Sequence, residues 1–494
     1  MNRGYFFMKK AVAFCLPAVL LSSCLFACCG CSKKQKEHTV YEIVAEFKPS
    51  DNTLTGTVKV DFYNGTEAEL ECIAFQLYAN AYRKNPLYSP IPYEALDEAY
   101  YAGENYGGIV VSSVLGSVGY EIGGADENIL YAQLQSPLPP EGRVTLDIGF
   151  STKLAKLNHR LGVTKSTVNF AGAFPTVCGY SENGFYECVY SDVGEPFFAD
   201  VADYTVTLTL PKEYRLAIGG AVTEEKGLES KKKHTVSVAN ARDFAFVIAK
   251  DYSVLQKKIG KTTVNYYALS AGQDDKNQEL LDYICTLVSF YSSAFGEYPF
   301  DVLTVAETEL IGGVADYSGL CMFSKSLTGV DRIYALAKEI AAEWWYAAVG
   351  ANRVESAWLV EGLSAYSAAL FFEKNTGYGF TKKGLIDGSL KEYLGYKSVY
   401  QKALGWVDTR MQRPLSTFLN GYEYGCVSAD KAVVMLSELE RGIGSKKFMA
   451  GLKKYYSENR FGSATPAALV GAFERAGAQA SGFFDGYLSG KGTL

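Results

Sequence analysis

Histidine is nearly absent from this chain. The 494 residues include three, His38, His159 and His234, and none follows position 234. Because histidine nitrogens are common ligands of catalytic zinc, the second half of the sequence lacks the side chain from which such a site is ordinarily built. His38 precedes the first predicted strand and the other two lie among predicted strands, so we expect all three to be surface or hairpin residues.

The chain also lacks a net positive charge. Lys and Arg number 48 against 54 Asp and Glu, a formal net charge of −6. No basic cluster is interleaved with aromatic residues, so we expect no nucleic acid partner. With 48% hydrophobic and 21% charged residues, the composition is typical of a globular protein. The length suffices for two or three domains that each bury a core.

The N-terminal 31 residues have the pattern of an export signal. Arg3, Lys9 and Lys10 precede an uncharged run from position 11 to 32, which ends in small residues and cysteines. Secretory signals share this basic start, apolar middle and small-residue end. The alternative is an uncleaved transmembrane anchor, since about 20 apolar residues can span a bilayer.

Within that run, Leu21-Ser22-Ser23-Cys24 resembles a bacterial lipobox, and Cys28 is a weaker second candidate. We expect residues 1–31 to be a signal peptide with a lipobox, Cys24 to be lipidated, and residues 32–40 to be a polar tether. The body would then be exported and anchored to the outer face of the bacterial cytoplasmic membrane as a lipoprotein.

The cysteines that remain are expected to be free and buried. Export permits disulfides, but the spacing of these residues dictates none. Cys178 and Cys188 flank Asn183-Gly184, a hairpin-turn signal. With that turn, Cys178 would face Val189 and Cys188 would face Gly179, so that the two thiols point to opposite sides. The six positions are Cys72, Cys178, Cys188, Cys285, Cys321 and Cys426.

Residues 41–253 are almost wholly strand-like. Tyr41–Phe47, Leu54–Phe62 and Tyr204–Leu210 alternate apolar and polar residues and are rich in β-branched side chains. This pattern, with turn residues between the runs, predicts a large antiparallel β domain.

The pattern changes near residue 252, and we place a second domain at 254–494. A strand at Thr262–Leu269 leads to a helix at Gln278–Ala294, which ends at Gly296 and is followed by a strand at Val302–Glu307. Beyond Ser324 helices are predicted to the C-terminus. Their breaks are expected near Gly377, Gly388, Gly395, Gly421, Gly442 and Gly462.

Two of these predicted helices carry the arrangement of a metalloprotease zinc site. No Gly or Pro interrupts Val330–Val349, so positions 338 and 342 share one face of a helix, with Glu339 beside them. Glu361 lies on the next apolar-periodic run, 19 residues after position 342. Such sites take ligands at i and i+4, a general-base Glu at i+1 and a third ligand from the following helix.

The segment KEIAAEWWYAAVGANRVESAWLVEGLSAYS, residues 338–367, resembles the membrane alanyl aminopeptidase family of gluzincins. Their pattern is His-Glu-x-x-His-Gln-Trp, then a ligand Glu in Trp-Leu-x-Glu-Gly after the same spacing. The Trp pair and Trp358-Leu359-Val360-Glu361-Gly362 match it. Gly194-Glu195-Pro196 resembles the N-terminal domain of the family, so the resemblance covers nearly the whole mature chain. It implies an N-terminal antiparallel β saddle domain followed by a thermolysin-like α/β domain that is mostly helical towards its C-terminus, as in short bacterial members.

The resemblance also shows what has been lost. Active relatives bind zinc through two His and one Glu; here those positions are Lys338, Ala342 and Glu361, and only Glu361 could be a ligand. We expect Lys338 to pair with Glu361, so that the carboxylate is not left buried alone. The alternatives are an ordinary surface lysine, or an oxygen-rich site for a hard cation formed by Glu339, Glu343 and Glu361.

Two further positions differ from the family. Its transition-state tyrosine, in Tyr-x-Lys-Gly, matches Ala429, and Tyr422 and Tyr424 are out of register. Its Gly-x-Met-Glu loop matches Gly313 to Asp316, so Asp316 replaces the Glu that binds the amino terminus of the substrate. Amine binding by Asp316 and a turn-capping role for it remain equal alternatives.

These losses favour a catalytically inactive homologue of the zinc aminopeptidases that binds a peptide or protein ligand through the retained cleft. Glu339 would keep the general-base position but stand idle, and we predict no cofactor and no metal. The alternatives are an active zinc metallo-aminopeptidase with atypical ligands and a structural surface protein whose cleft has filled in.

Overall fold

The first half of the structure consists mostly of strands in which buried and exposed side chains alternate. The structure is a computed structural model that describes residues 37–269 and 272–490. In β1, Tyr41, Ile43, Ala45 and Phe47 are buried while the residues between them face outward. The expected signal peptide, Cys24 and most of the tether lie outside the described residues. Thr39 and Val40, which we assigned to the tether, already belong to β1. The elements of this half are β1 (Thr39–Lys48), β2 (Thr53–Tyr63), β3 (Leu70–Gln76), α1 (Leu96–Ala99), β4 (Gly108–Leu115), β5 (Gly119–Gly123), β6 (Ile129–Leu138), β7 (Arg143–Lys153), β8 (Leu161–Val163), β9 (Val168–Ala171), β10 (Thr176–Val177), β11 (Tyr180–Ser181), β12 (Gly184–Phe185), β13 (Ala202–Pro211), β14 (Arg215–Ile218), β15 (Ala221–Gly227), β16 (Lys231–Ala241) and β17 (Ala245–Ala249).

The largest sheet has the strand order β15-β16-β13-β1-β2-β7-β4. It is antiparallel as the sequence predicts, except that β1 and β13 run parallel. Two four-stranded sheets, β10-β3-β6-β5 and β14-β17-β9-β8, complete this half with the small β11-β12 pair.

The second half combines a mixed sheet with helices, as the resemblance implies. Its sheet has the order β18-β19-β20-β22-β21, in which β19, β20 and β22 are parallel and both edge strands are antiparallel. The boundary expected after residue 253 falls at the first residue of β18. The elements are β18 (Ser253–Ile259), β19 (Thr262–Ala268), α2 (Asp274–Phe295), β20 (Val302–Thr308), β21 (Val314–Tyr317), β22 (Leu320–Ser324), α3 (Gly329–Ala342), β23 (Val349–Gly350), α4 (Arg353–Lys374), α5 (Lys382–Leu404), α6 (Gly421–Tyr424), α7 (Lys431–Ile443), α8 (Ser445–Asn459), β24 (Gly462–Ser463), α9 (Pro466–Arg475) and α10 (Ser481–Leu488).

Two of the predicted helix breaks are wrong. Gly388 and Gly395 lie inside α5, because an interior glycine costs a helix only about 1 kcal/mol and does not end it. The break in this region is instead at Gly405, whose φ of 76° closes α5 in the left-handed conformation.

The six cysteines within the described residues are free, and all of them but the half-buried Cys72 are buried. The register expected for the 178–188 hairpin is wrong, since Tyr180 pairs with Phe185 and Ser181 with Gly184. The turn therefore lies at Glu182-Asn183, one residue earlier. The Ser181 hydroxyl donates to the carbonyl oxygen of Gly184 and accepts from the N–H of Asn183, which stabilises this alternative turn.

Among the described residues, we find no helix that is both long and apolar enough to cross a membrane.

Candidate functional site

Two packed helices position the predicted site. The Asn352 side chain caps α4 by accepting from the backbone N–H groups of Val354 and Glu355. The indole of Trp345, in the π-helical turn Glu343–Ala348 that follows α3, donates to the Ser367 hydroxyl on α4 at 2.8 Å and holds this turn against α4. Gly362 allows α4 to approach α7, since a Cβ there would lie 2.3 Å from the Cβ of Ala432.

Lys338 reaches from α3 to the carboxylate on α4, as the pairing hypothesis predicts. Its Nζ lies 2.6 Å from Glu361 Oε2 and 3.3 Å from Glu339 Oε1, and its side chain is 23% exposed. Burial alone would lower the pKa of Lys338, but the two carboxylates raise it well above its usual value. The ammonium is therefore charged at neutral pH and has no lone pair to offer a metal.

Glu361 has a second cation on its other oxygen. Arg353 Nη2 lies 3.4 Å from Glu361 Oε1, and the Tyr424 hydroxyl also interacts with this carboxylate. Burial would raise the pKa of Glu361, but Lys338 and Arg353 bring it down to about 2. Both carboxylate oxygens of Glu361 are thus engaged by side chains of the protein itself.

Asp316 is also paired within the protein. Arg353 Nη1 lies 3.0 Å from Asp316 Oδ2, and both side chains are buried. The guanidinium sits 4.5 Å above the ring of Tyr346, whose hydroxyl donates to Asp243 at 2.7 Å. The role of Asp316 in binding a substrate amine stays a prediction, and an incoming ammonium group would have to compete with Arg353.

Glu339, which the family resemblance assigns to the general-base position, is 6% exposed. Burial raises its pKa to about 7 despite the opposing effect of Lys338 beside it. A carboxylate with that pKa can exchange a proton near neutral pH.

The architecture that holds these residues is shared with solved zinc peptidases. A mutant of the M1 zinc metallopeptidase from Deinococcus radiodurans, bound to a Tyr-Ser-Ala substrate, matches with a TM-score of 0.62 and 18% identity over 93% of this chain and 94% of that one. This chain has the two-domain M1 fold. A two-domain M1 zinc metallopeptidase mutant bound to L-tryptophan matches at 0.62 and 18%, covering 93% and 96% of the two chains. No protein-family model and no curated protein matches the sequence.

The zinc ion for which M1 metallopeptidases are named does not fit the donors present here. Lys338 presents a protonated amine, Ala342 a methyl group, and Glu361 a carboxylate already held by two cations. No cluster of three or more His, Cys, Asp or Glu side chains suited to a metal occurs in residues 37–269 and 272–490.

The hard-cation alternative also lacks its third carboxylate. Glu343 Oε2 accepts from the Tyr298 hydroxyl at 2.9 Å and from the backbone N–H of Gly319 at 3.1 Å. The residue is 1% exposed, and burial raises its pKa well above the usual value. Glu343 is thus hydrogen-bonded within the core to Tyr298 and Gly319.

Two of the three histidines, His159 and His234, are buried. The expectation of a surface or hairpin position is wrong for His159, which is 5% exposed with Nδ1 2.6 Å from the Tyr82 hydroxyl. Burial lowers the pKa of His159 well below its usual value. His234 does lie on a hairpin strand, β16, beside Glu225, but it is equally buried.

Sequence reasoning missed two residues of the site, Arg353 and Tyr424. An arginine at the start of an otherwise apolar helix requires a buried partner, and that was a usable signal. Tyr424 was set aside because its spacing from Lys431 differs from the family pattern, yet its side chain reaches Glu361. Ala429, the position matched to the family tyrosine, lies in the π-helical turn Gly425–Asp430.

Proposed function

We propose that this protein is an exported, membrane-anchored relative of the M1 aminopeptidases that does not hydrolyse peptides and binds peptide or protein partners through its cleft. The observation that carries the proposal is the 2.6 Å contact between Lys338 Nζ and Glu361 Oε2. It puts a fixed cation where the family resemblance expects a metal ligand. Export and lipid anchoring rest on the pattern of residues 1–31 alone.

The loss of hydrolysis follows from the chemistry of these side chains. Zinc in a peptidase lowers the pKa of bound water to about 7 and polarises the scissile carbonyl. Lys338 supplies positive charge at a similar place, but an ammonium group cannot bind hydroxide as a ligand. Glu339 could accept a proton, but without an activated water it has no substrate to deprotonate.

Peptide binding is supported by the fold and by the charges of the site. One M1 neighbour holds the substrate Tyr-Ser-Ala, so the fold accommodates short peptides. The ion pairs of Lys338, Arg353, Glu361 and Asp316 keep the site neutralised without a metal. Such ion pairs fix the positions of the side chains that form them, and a binding site needs fixed side chains as much as a catalytic site does.

Two observations favour the alternative, an active zinc metallo-aminopeptidase with atypical ligands. The Tyr424 hydroxyl beside Glu361 and the pKa of Glu339 near 7 retain groups that could handle protons during hydrolysis. Activity would require a metal to displace Lys338.

Metal content and turnover together test the proposal. We expect the purified protein to carry no stoichiometric zinc and to release no anilide from aminoacyl-anilides, with or without added zinc. Stoichiometric zinc with chelator-sensitive turnover would establish the alternative. The variant K338H/A342H should gain zinc, whereas its control Ala342→His, which keeps the lysine, should not.

Binding is tested separately by fluorescence anisotropy with labelled peptides of six to ten residues. Saturable binding that the unlabelled peptide reverses is the expected result. If no peptide of any charge binds, the binding part of the proposal is wrong and a structural role remains.

A further inference from the structure

A groove of about 610 Å³ opens beside the buried ion pairs. Its walls come from loops of the β-rich half, at residues 87–89 and 186–193, and from Val354, Glu355 and residues 414–418 of the helical half. Val354 and Glu355 directly follow Arg353, which holds Asp316 and Glu361. The groove therefore borders the candidate site without including its charged centre.

Two apolar residues of this groove, Leu87 and Tyr88, are exposed while hydrogen bonds hold their backbone in place. Leu87 is 75% and Tyr88 is 41% exposed, yet their backbone N–H groups donate to the Asp126 carboxylate at 2.7 and 3.0 Å. On the other side, the ring of Phe418 packs edge-on against Tyr424 at 5.4 Å, and Tyr424 reaches Glu361. Exposed apolar residues held in place beside a polar rim are typical of an interaction surface.

The charge of the groove is of one sign. Glu187, Asp192 and Glu355 line it, and no Lys or Arg is among its lining residues. In the part of the chain that the structure describes, none of these three carboxylates forms an ion pair, although Glu355 accepts from the Tyr186 hydroxyl at 2.6 Å. The carboxylates of the adjoining site, by contrast, are matched by internal cations.

We propose that this groove binds a peptide segment in which Lys or Arg stands next to apolar side chains. The proposal rests on the proposed function and names the chemical class of the ligand. Unmatched carboxylates attract a cation by complementary charge, and the apolar walls supply contact area that a simple polyamine would not use. The carboxylates of the adjoining site are not free to bind such a cation, because Lys338 and Arg353 already pair with them.

The test compares three labelled octapeptides by anisotropy with the purified full chain. The first carries two lysines among leucine and phenylalanine, the second replaces each lysine with glutamine, and the third keeps the lysines among serine and glycine. We expect the first to bind tightest and to weaken as NaCl rises from about 50 to 300 mM, because salt screens exposed charges.

Variants then locate the effect. Glu355→Gln, Asp192→Asn and Glu187→Gln should each weaken the first peptide roughly two- to five-fold, and the triple variant about eightfold or more, since exposed charge pairs contribute little individually. The matched control is Glu229→Gln, an exposed carboxylate between β15 and β16 outside the groove lining, which should leave binding unchanged.

The outcomes separate the two proposals. If the first and second peptides bind equally, or if Glu229→Gln weakens binding as much as the groove variants do, this inference is wrong while peptide binding stands. Equal binding of the first and third peptides also overturns it, since charge alone would then suffice. Failure of all three peptides overturns this inference together with the peptide-binding part of the proposed function on which it rests.

Discussion

Replacing Lys338 with methionine removes the cation that two buried carboxylates share and keeps most of the side-chain volume. Glu361 is 8% and Glu339 is 6% exposed, so water cannot readily replace the ammonium. Arg353 remains 3.4 Å from Glu361 Oε1 and compensates only part of the loss. We therefore expect the variant to be folded but clearly less stable at neutral and alkaline pH.

The magnitude can be worked out in two ways. Removing one partner of a buried ion pair typically costs about 3–5 kcal/mol, and the partial exposure of Lys338 and the presence of Arg353 place this case at or below the lower end. Independently, the pKa of Glu361 lies at about 2 against an ordinary 4.5, which corresponds to about 3 kcal/mol of stabilisation shared among Lys338, Arg353 and Tyr424. We expect a loss of about 2–3 kcal/mol for Lys338→Met.

Urea unfolding monitored by tryptophan fluorescence measures this loss, since Trp344, Trp345 and Trp358 are buried around the site. The loss should be larger at pH 8 than at pH 5, where the stranded carboxyl groups can take up protons. Lys383→Met is the matched control, because Lys383 and its partner Asp387 are 85% and 58% exposed.

A double-mutant cycle with Glu361→Gln isolates the pair itself. Lys338→Met should cost far less when Glu361 is already neutral. If Lys338→Met shifts the unfolding midpoint no more than Lys383→Met does, or if the two site changes are simply additive, the ion pair does not stabilise the fold and the argument fails.

The other predictions concern the pH dependence of stability and the packing of α4 against α7. Because the pKa of Glu361 is lowered to about 2 from 4.5, its stabilisation should be complete above pH 4.5 and fade towards pH 2; Glu361→Gln should flatten this limb of the unfolding midpoint against pH. The contribution of Glu339 to stability depends on pH in the opposite direction. Because its pKa is raised from 4.5 to about 7, the fold loses stability as pH rises between those values. Glu339→Gln should abolish that decline. Gly362→Ala places a Cβ 2.3 Å from that of Ala432 and should destabilise by about 1–3 kcal/mol in urea unfolding. Gly442→Ala in α7, where a Cβ meets nothing within 4 Å, should instead stabilise by about 0.5–1 kcal/mol, and equal effects of the two changes would contradict the packing argument.

The elements around the site were predictable because their signals are local. The absence of Gly and Pro from Val330–Val349 predicted α3, and the apolar period around Glu361 predicted α4; the structure has these helices at Gly329–Ala342 and Arg353–Lys374. The pairing of Lys338 with Glu361 was predictable too, since it needed only the family spacing and the cost of a lone buried charge.

What the sequence did not reveal depends on contacts between distant segments. Arg353 and Asp316 are 37 positions apart, and only the placement of β21 against the start of α4 makes them partners. The expectation of a surface or hairpin position for His159 failed because its hydrogen-bond partner, Tyr82, lies 77 positions earlier and gives no local signal of burial. At the 182–183 turn, the Ser181 side chain outweighed the usual preference of Asn-Gly for the central positions.

The ion pairs distinguish this site from one in which a single metal ligand has been replaced and no other residue compensates for it. Substituting a metal-binding residue alone would leave Glu361 buried with less compensation, and the fold would lose stability. Here Lys338 sits on one oxygen of Glu361, and Arg353 joins the other oxygen to Asp316. The positions that the family resemblance assigns to a metal ligand and to the substrate amine are thereby neutralised by one connected set of side chains. Restoring imidazoles at 338 and 342 therefore removes a cation on which Glu361 depends, so a zinc-binding variant should be stable only while zinc is bound.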